Sequence, residues 1–117
     1  MSGAIWSAAD KLVESSELII DRPKGSAHPR YPEVIYPLDY GYLAGTSSGD
    51  GGGIDVWVGS LSRNGVTGLV CTIDLTKKDA EVKLLIGCTE AEAKQILAFH
   101  NSGSQAATLI MRLIENG

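Results

Sequence analysis

The sequence predicts an α+β domain that is mainly β: a small barrel or curled antiparallel sheet that carries a helix. Two observations lead to this prediction. Several short apolar runs of strand length are separated by turn residues, and one later segment has helical periodicity with a capping box at its start. The chain has 117 residues, of which 44% are hydrophobic, and this suffices for a single domain over residues 1–117 with its own core.

Local patterns place the individual elements. A short helix is predicted over 6–16, and the capping box TEAE predicts a second helix over 89–101. Four prolines between 23 and 37 predict an extended, irregular segment, because proline has no N–H for a sheet ladder. A hairpin turn is predicted at 63–65. The predicted strands are short apolar runs at 17–22, 40–44, 54–60, 66–74, 80–87 and 106–115, the last of which also suits a helix.

Charge, hydropathy and cysteine content bear on the partners and the location of the protein. The net charge of −4 argues against nucleic acid, which favours a basic face. No apolar run approaches the roughly 18 residues of a membrane span, and the first ten residues lack the pattern of a signal peptide. Cys71 and Cys88 lie in apolar runs without metal-ligand spacing, so we expect buried free thiols. We therefore expect a cytoplasmic protein with no nucleic-acid or membrane partner.

Two pairs of aspartates with the same spacing flank connections between predicted strands. Asp50 and Asp55 enclose a glycine-rich loop, and Asp74 and Asp79 enclose the turn LTKK. Carboxylates at both ends of a tight connection can aim at one point, where their mutual repulsion would raise their pKa values unless a cation is present. Hard oxygen ligands of this kind suit Mg²⁺, which leaves room for substrate phosphates. The sequence therefore predicts a Mg²⁺ site, with Mn²⁺ as the alternative ion.

The segment DAEVKLL adds charged side chains to the second aspartate pair. Asp79, Glu81 and Lys83 alternate and therefore share one face of the predicted strand. A half-exposed strand with a solvated polar face explains the same alternation. A flexible hairpin loop with incidental acids likewise explains the glycines, because Gly and Asp are common turn residues. From the residues alone, these explanations remain open.

Three blocks of the sequence resemble the family I soluble inorganic pyrophosphatases. They are IDRPKGS at 20–26, YPLDYGYLAGTSSGDGGGIDVWV at 36–58 and DLTKKD at 74–79. The middle block follows the family pattern Tyr-Pro-x-x-Tyr-Gly-Tyr, then Thr, then Asp-Gly-Asp-x-x-Asp-Val in its spacing. The resemblance implies an OB-like antiparallel β-barrel with one or two outer helices. It also implies a homo-oligomer that hydrolyses inorganic pyrophosphate to two phosphates by a metal-bridged hydroxide.

The resemblance assigns roles by matched position. The implied metal ligands are Asp21, Asp50, Asp55, Asp74 and Asp79, with Asp55 bridging two ions. The implied substrate contacts are Lys24, Arg30, Tyr36, Tyr40 and Lys83. Within these sets, Asp55, Tyr40 and Arg30 form the implied catalytic group.

The chain also departs from the family pattern. Gly52 stands where the family has an acid that helps to orient or deprotonate the nucleophilic water, and losing a positioned general base typically costs about 10²–10⁴-fold in rate. A family hairpin is shortened to HPRYPEVI, and a late Tyr-Lys pair is missing. Two alternatives follow: a metal- and phosphate-binding module of the same fold with weakened catalysis, and a hydrolase of another phosphorylated small molecule.

Overall fold

The computed structural model describes residues 3–49, 51–61 and 65–113, and within them two helices flank one six-stranded sheet. The elements in chain order are α1 (Ala4–Glu14), β1 (Glu17–Arg22), β2 (Asp39–Ala44), β3 (Ile54–Val58), β4 (Val66–Asp74), β5 (Asp79–Ile86), α2 (Glu90–His100) and β6 (Gln105–Met111). The predicted fold class is confirmed, and both predicted helices and all predicted strands are present. The turn predicted at 63–65 lies partly outside the described residues.

The strands pair in the order β1-β2-β3-β5-β4-β6. The β4–β5 hairpin is turned so that β5 lies between β3 and β4, and β3 and β5 therefore run parallel. All other neighbouring strands are antiparallel. The sequence predicted an antiparallel sheet throughout, so the parallel β3–β5 pair is an exception to that prediction. Val56 lies beside Leu84 in the parallel pair, so Asp55 and Lys83, one residue earlier on each strand, are neighbours. This register joins two site residues that are 28 positions apart in the sequence.

Each face of the sheet packs against one helix, because side chains alternate between the faces along every strand. The α1 face buries one apolar cluster, made of Ala9, Leu43, Val56, Val66, Leu69, Leu84 and Ile86. The α2 face buries a second cluster, made of Tyr36, Leu38, Trp57, Val70, Leu85, Cys88, Ala93 and Ile96. The polar site described below continues from this second cluster along the same face of the sheet.

The capping box that starts α2 is confirmed. Thr89 Oγ1 accepts a hydrogen bond of 3.1 Å from the Glu92 N–H, and Glu92 Oε1 accepts one of 2.9 Å from the Thr89 N–H. The Glu92 carboxylate also accepts the Ser60 N–H at 3.1 Å. The cap therefore also fixes the first turn of α2 to the loop that follows β3.

The pairing of β1 with β2 shapes the entrance to the site. A β-bulge between Ile20 and Arg22 leaves Asp21 outside the regular register, and such a bulge re-aims the side chains beside it. A Cβ on Gly41 would lie 1.9 Å from the Ile19 carbonyl oxygen, so the close approach of these strands requires glycine there. This close approach explains the glycine of the Tyr-Gly-Tyr motif, whose first tyrosine enters the site.

The proline-rich segment 23–38 is irregular, as predicted, and its only bridge among the described residues joins Ala27 to Ile35. Both cysteines are free; Cys88 is buried as expected, whereas Cys71 is half-buried. Among the residues that the structure describes, no helix is long and apolar enough to cross a membrane.

Candidate active site

A polar cleft of about 1020 Å³ opens on the α2 side of the sheet. Its walls come from strands β1 to β5, the segment around Pro29, the turn between β4 and β5, and the chain just after α2. The acidic lining residues are Asp21, Glu33, Asp55, Asp74, Asp79 and Glu81, and the basic ones are Arg22, His28, Arg30, Lys77 and Lys83. The cleft therefore presents carboxylates and cations to the same space, as binding of a metal-complexed anion requires.

Every predicted site residue that the structure describes lines this cleft, except Lys24. The predicted residues that it brings together are Asp21, Arg30, Tyr36, Tyr40, Asp55, Asp74, Asp79 and Lys83. Lys24 lies outside the lining, and its backbone N–H donates to Asp39 Oδ1 at 2.8 Å. Asp50 lies outside the described residues.

The ammonium group of Lys83 lies at the centre of a buried ion-pair network. Its Nζ donates to Asp55 Oδ2 at 2.8 Å, to Glu81 Oε2 at 2.8 Å and to the Tyr40 hydroxyl at 3.1 Å. The Lys83 side chain is only 4% exposed. An ammonium group has three N–H donors, so these three acceptors use all of them. Lys83 is thus fully hydrogen-bonded within the protein before any ligand binds.

The protonation states of this network follow from burial and charge. Burial raises the pKa of Tyr40 well above its ordinary value, so the hydroxyl is neutral at physiological pH. Burial alone would lower the pKa of Lys83, but the Tyr40 oxygen, which accepts one of its N–H groups, and the carboxylates of Asp55 and Glu81 outweigh burial and raise that pKa. Lys83 is therefore a permanent cation in the folded protein.

Asp74 is bound by the turn between β4 and β5. Its Oδ1 accepts the backbone N–H groups of Lys77 at 3.0 Å and Thr76 at 2.9 Å, and its Oδ2 accepts the Gln105 side-chain amide at 3.3 Å. The Lys77 N–H makes the largest contribution to lowering the pKa of Asp74. The carboxylate is therefore ionised, and it holds the turn that projects Lys77 into the cleft.

Five charged side chains in the cleft are not paired in this way. Within the part of the chain that the structure describes, no side-chain hydrogen bond or ion pair is made by Asp21, Arg30, Glu33, Lys77 or Asp79. Asp79 lies directly opposite Asp74 in the register of the β4–β5 hairpin, and like charges in that arrangement repel. These side chains are the charges of the cleft that a bound ligand can satisfy.

The described carboxylates do not by themselves form a resident metal site. No group of three or more His, Cys, Asp or Glu side chains among the described residues is placed to hold an ion. The physical reason is visible in the contacts: Lys83 binds Asp55 and Glu81, and the turn binds Asp74. The metal-ligand roles of Asp55 and Asp74 remain predictions.

An aromatic layer lies beneath the cleft and connects it to the core. Trp57 Nε1 donates to His100 Nε2 at 3.0 Å, and His100 Nδ1 bonds Gln105 Oε1 at 3.0 Å. Because Nε2 accepts the indole proton, Nδ1 carries the imidazole proton. Burial lowers the pKa of His100 to about 4, which keeps the ring neutral. This chain of contacts ends at Asp74, which Gln105 also binds.

Sequence reasoning left several lining residues unassigned, among them Arg22, Lys77 and Gln105. Arg22 donates to the hydroxyl of Tyr36, and its guanidinium lies 5.4 Å from the centre of that ring. Lys77 could have been found, because it lies between the two aspartates of DLTKKD. Gln105 could not, because its position opposite Asp74 depends on the pairing of β4 with β6.

The architecture around this cleft has counterparts among solved structures: the chain has the fold of inorganic pyrophosphatases. It is similar to an inorganic pyrophosphatase from Neisseria gonorrhoeae, with a TM-score of 0.65 and 17% identity, over 80% of each chain. It is also similar to an inorganic pyrophosphatase from Helicobacter pylori, with a TM-score of 0.57 and 13% identity, over 81% of this chain and 83% of that one. No protein-family model matches the sequence, and a comparison with curated proteins gives no match.

Proposed function

We propose that this protein hydrolyses inorganic pyrophosphate, taken up as its Mg²⁺ complex, to two phosphates. The observation that carries the proposal is the meeting of carboxylates and cations in one cleft of a domain with the pyrophosphatase fold. Magnesium pyrophosphate presents both charges to which such a cleft is complementary. Mg²⁺ commonly binds proteins through one or two carboxylates together with substrate phosphates, and it keeps several water ligands.

Four of the side chains without a partner can be divided between the two parts of this substrate. Asp21 and Asp79 would bind the Mg²⁺ that the substrate carries, and the resemblance adds Asp50. Arg30 and Lys77 would bind phosphate oxygens through charge-assisted hydrogen bonds. When water attacks one phosphorus and the bond to the bridging oxygen breaks, the same cations would stabilise the charge that develops on the leaving phosphate.

Phosphate release from pyrophosphate tests the proposal, with Asp79→Asn as the variant. We expect turnover that requires Mg²⁺ and a kcat/KM lowered about tenfold or more in the variant, because one charged contact to the substrate is lost. Glu17→Gln is the matched control, because Glu17 is an exposed carboxylate at the start of β1, outside the cleft lining. Absence of Mg²⁺-dependent release, or equal activity in Asp79→Asn, would contradict the proposal.

A second candidate is a module that binds magnesium pyrophosphate without hydrolysing it. The observation that favours it is the closed network around Lys83, which already neutralises Asp55 and Glu81. Calorimetry separates the candidates: binding without turnover selects the module, and absence of both excludes it.

The cleft is also large for pyrophosphate alone, so a panel of phosphate esters in the phosphate-release assay tests hydrolysis of another phosphorylated molecule.

We infer a cytoplasmic location, because both cysteines are free and a reducing compartment preserves thiols; fractionation of the source cells tests it.

We also infer a homo-oligomer, as the resemblance implies. Exposed apolar side chains on the α1 face of the sheet, Ile73, Val82 and Ile110, are consistent with a buried contact between copies. A monomer mass in sedimentation velocity would contradict this inference.

A further inference from the structure

Lys83 is itself a cation bound between carboxylates. Its Nζ lies 2.8 Å from both Asp55 Oδ2 and Glu81 Oε2, and the Tyr40 hydroxyl supplies a third oxygen at 3.1 Å. Three oxygen atoms from three strands thus converge on one buried positive charge. Two carboxylates and a hydroxyl, completed by water, would equally suit a small divalent ion.

A divalent ion and the ammonium group cannot share this space. A protonated amine has no lone pair to offer a metal, and its three donors already occupy the oxygens that a metal would need. The side chain is 4% exposed and lies within the protein, so its charge cannot simply turn to solvent when an ion arrives. Expelling it would leave a buried ammonium group without partners, which is strongly unfavourable.

We propose that the Lys83 ammonium is a built-in cation that holds together Asp55, Glu81 and Tyr40 and keeps a divalent ion out of the space between them. The inference rests on the proposed function for the relevance of divalent ions to this cleft. It assigns the Mg²⁺ of that function to the substrate complex, because two of the cleft carboxylates are already neutralised by the protein.

Titration of Mn²⁺ into the free protein tests this proposal, with the free ion followed by electron paramagnetic resonance. We expect Lys83→Met, which matches the lysine side chain as far as Cε and removes the ammonium group, to bind one Mn²⁺ about tenfold or more tightly than wild type. The gain should disappear in Lys83→Met combined with Asp55→Asn. Lys77→Met is the matched control, because it removes an exposed positive charge from the same cleft without opening the space between Asp55 and Glu81.

Equal Mn²⁺ affinity in Lys83→Met and Lys77→Met would overturn the proposal. If Lys83→Met does not fold, the wild-type background decides. Asp55→Asn in the presence of Lys83 should leave Mn²⁺ affinity unchanged within about twofold, because Asp55 binds lysine and not metal. A clear loss of Mn²⁺ binding in Asp55→Asn would overturn the proposal as well. The titration contains no substrate, so failure of pyrophosphate hydrolysis would leave its result unchanged.

Discussion

His100 is the residue through which the core responds to acid. The residue is 5% exposed, and both of its ring nitrogens are hydrogen-bonded, to Trp57 and to Gln105. Protonation would place a proton on Nε2, where the Trp57 N–H already points. In the folded protein the His100 ring therefore stays neutral. In the unfolded chain it takes up a proton near the ordinary histidine pKa of 6.5.

The sign of the pH effect follows from this lowered pKa. The contribution of the neutral His100 to stability is fully present above about pH 6.5 and is lost as the pH falls toward about 4. Over this interval the free energy of unfolding falls by about 3 kcal/mol. Urea unfolding at pH 7 and pH 5 measures the loss. His100→Gln should flatten the dependence over this interval.

The other histidine and the carboxylates of the chain titrate differently from His100. The chain's other histidine, His28, lies in the proline-rich segment, and His28→Gln should retain most of the slope. Carboxylates with lowered pKa values, such as Asp10 and Glu92, lose their contribution only below about pH 4.5. An unchanged slope in His100→Gln would contradict the assignment.

At the scale of elements, the start of α2 is held by a small number of strong local bonds. The Thr89–Glu92 box satisfies N–H groups that the helix leaves unpaired, and Glu92 also binds Ser60 beyond β3. The same helix covers the core beneath the cleft and ends at His100. A local pattern therefore determines the position of one wall of the site.

Thr89→Ala tests this role of the cap. We expect the free energy of unfolding to fall by about 1–2 kcal/mol, because the side-chain acceptor for the Glu92 N–H is lost. Urea denaturation of the variant against wild type measures the difference. Thr89→Ser keeps the hydroxyl and should stay close to wild type; an equal loss in both variants would assign the effect to the lost methyl group instead.

The elements also show where prediction from sequence ends. The capping box and the alternation in DAEVKLL are local patterns, and they correctly predicted the start of α2 and the shared face of Asp79, Glu81 and Lys83. The aspartate spacing places Asp55, Asp74 and Asp79 in the cleft, whereas its metal site stays a prediction. The parallel pairing of β3 with β5 is set by the path of the chain across the sheet, and no local pattern encodes it. The Asp55–Lys83 ion pair depends on that pairing, so the sequence predicted both residues as site residues but not their bond.

At the scale of the whole molecule, the two faces of the sheet carry different chemistry. The α2 face combines an aromatic core with a cleft that holds both signs of charge. The α1 face is apolar, with exposed side chains beyond the helix at Ile73 and Val82. A small charged substrate is therefore expected on the α2 face alone.

A titration of magnesium pyrophosphate into ¹⁵N-labelled protein, with the backbone amides followed by nuclear magnetic resonance, would locate the substrate. We predict saturable shifts for residues that line the cleft, such as Arg30, Lys77 and Asp79, and unchanged amides along α1. The Lys77→Met variant should weaken the saturation without moving its location. Shifts confined to the α1 face, or no saturable shift in the cleft, would contradict the expectation of a substrate on the α2 face alone.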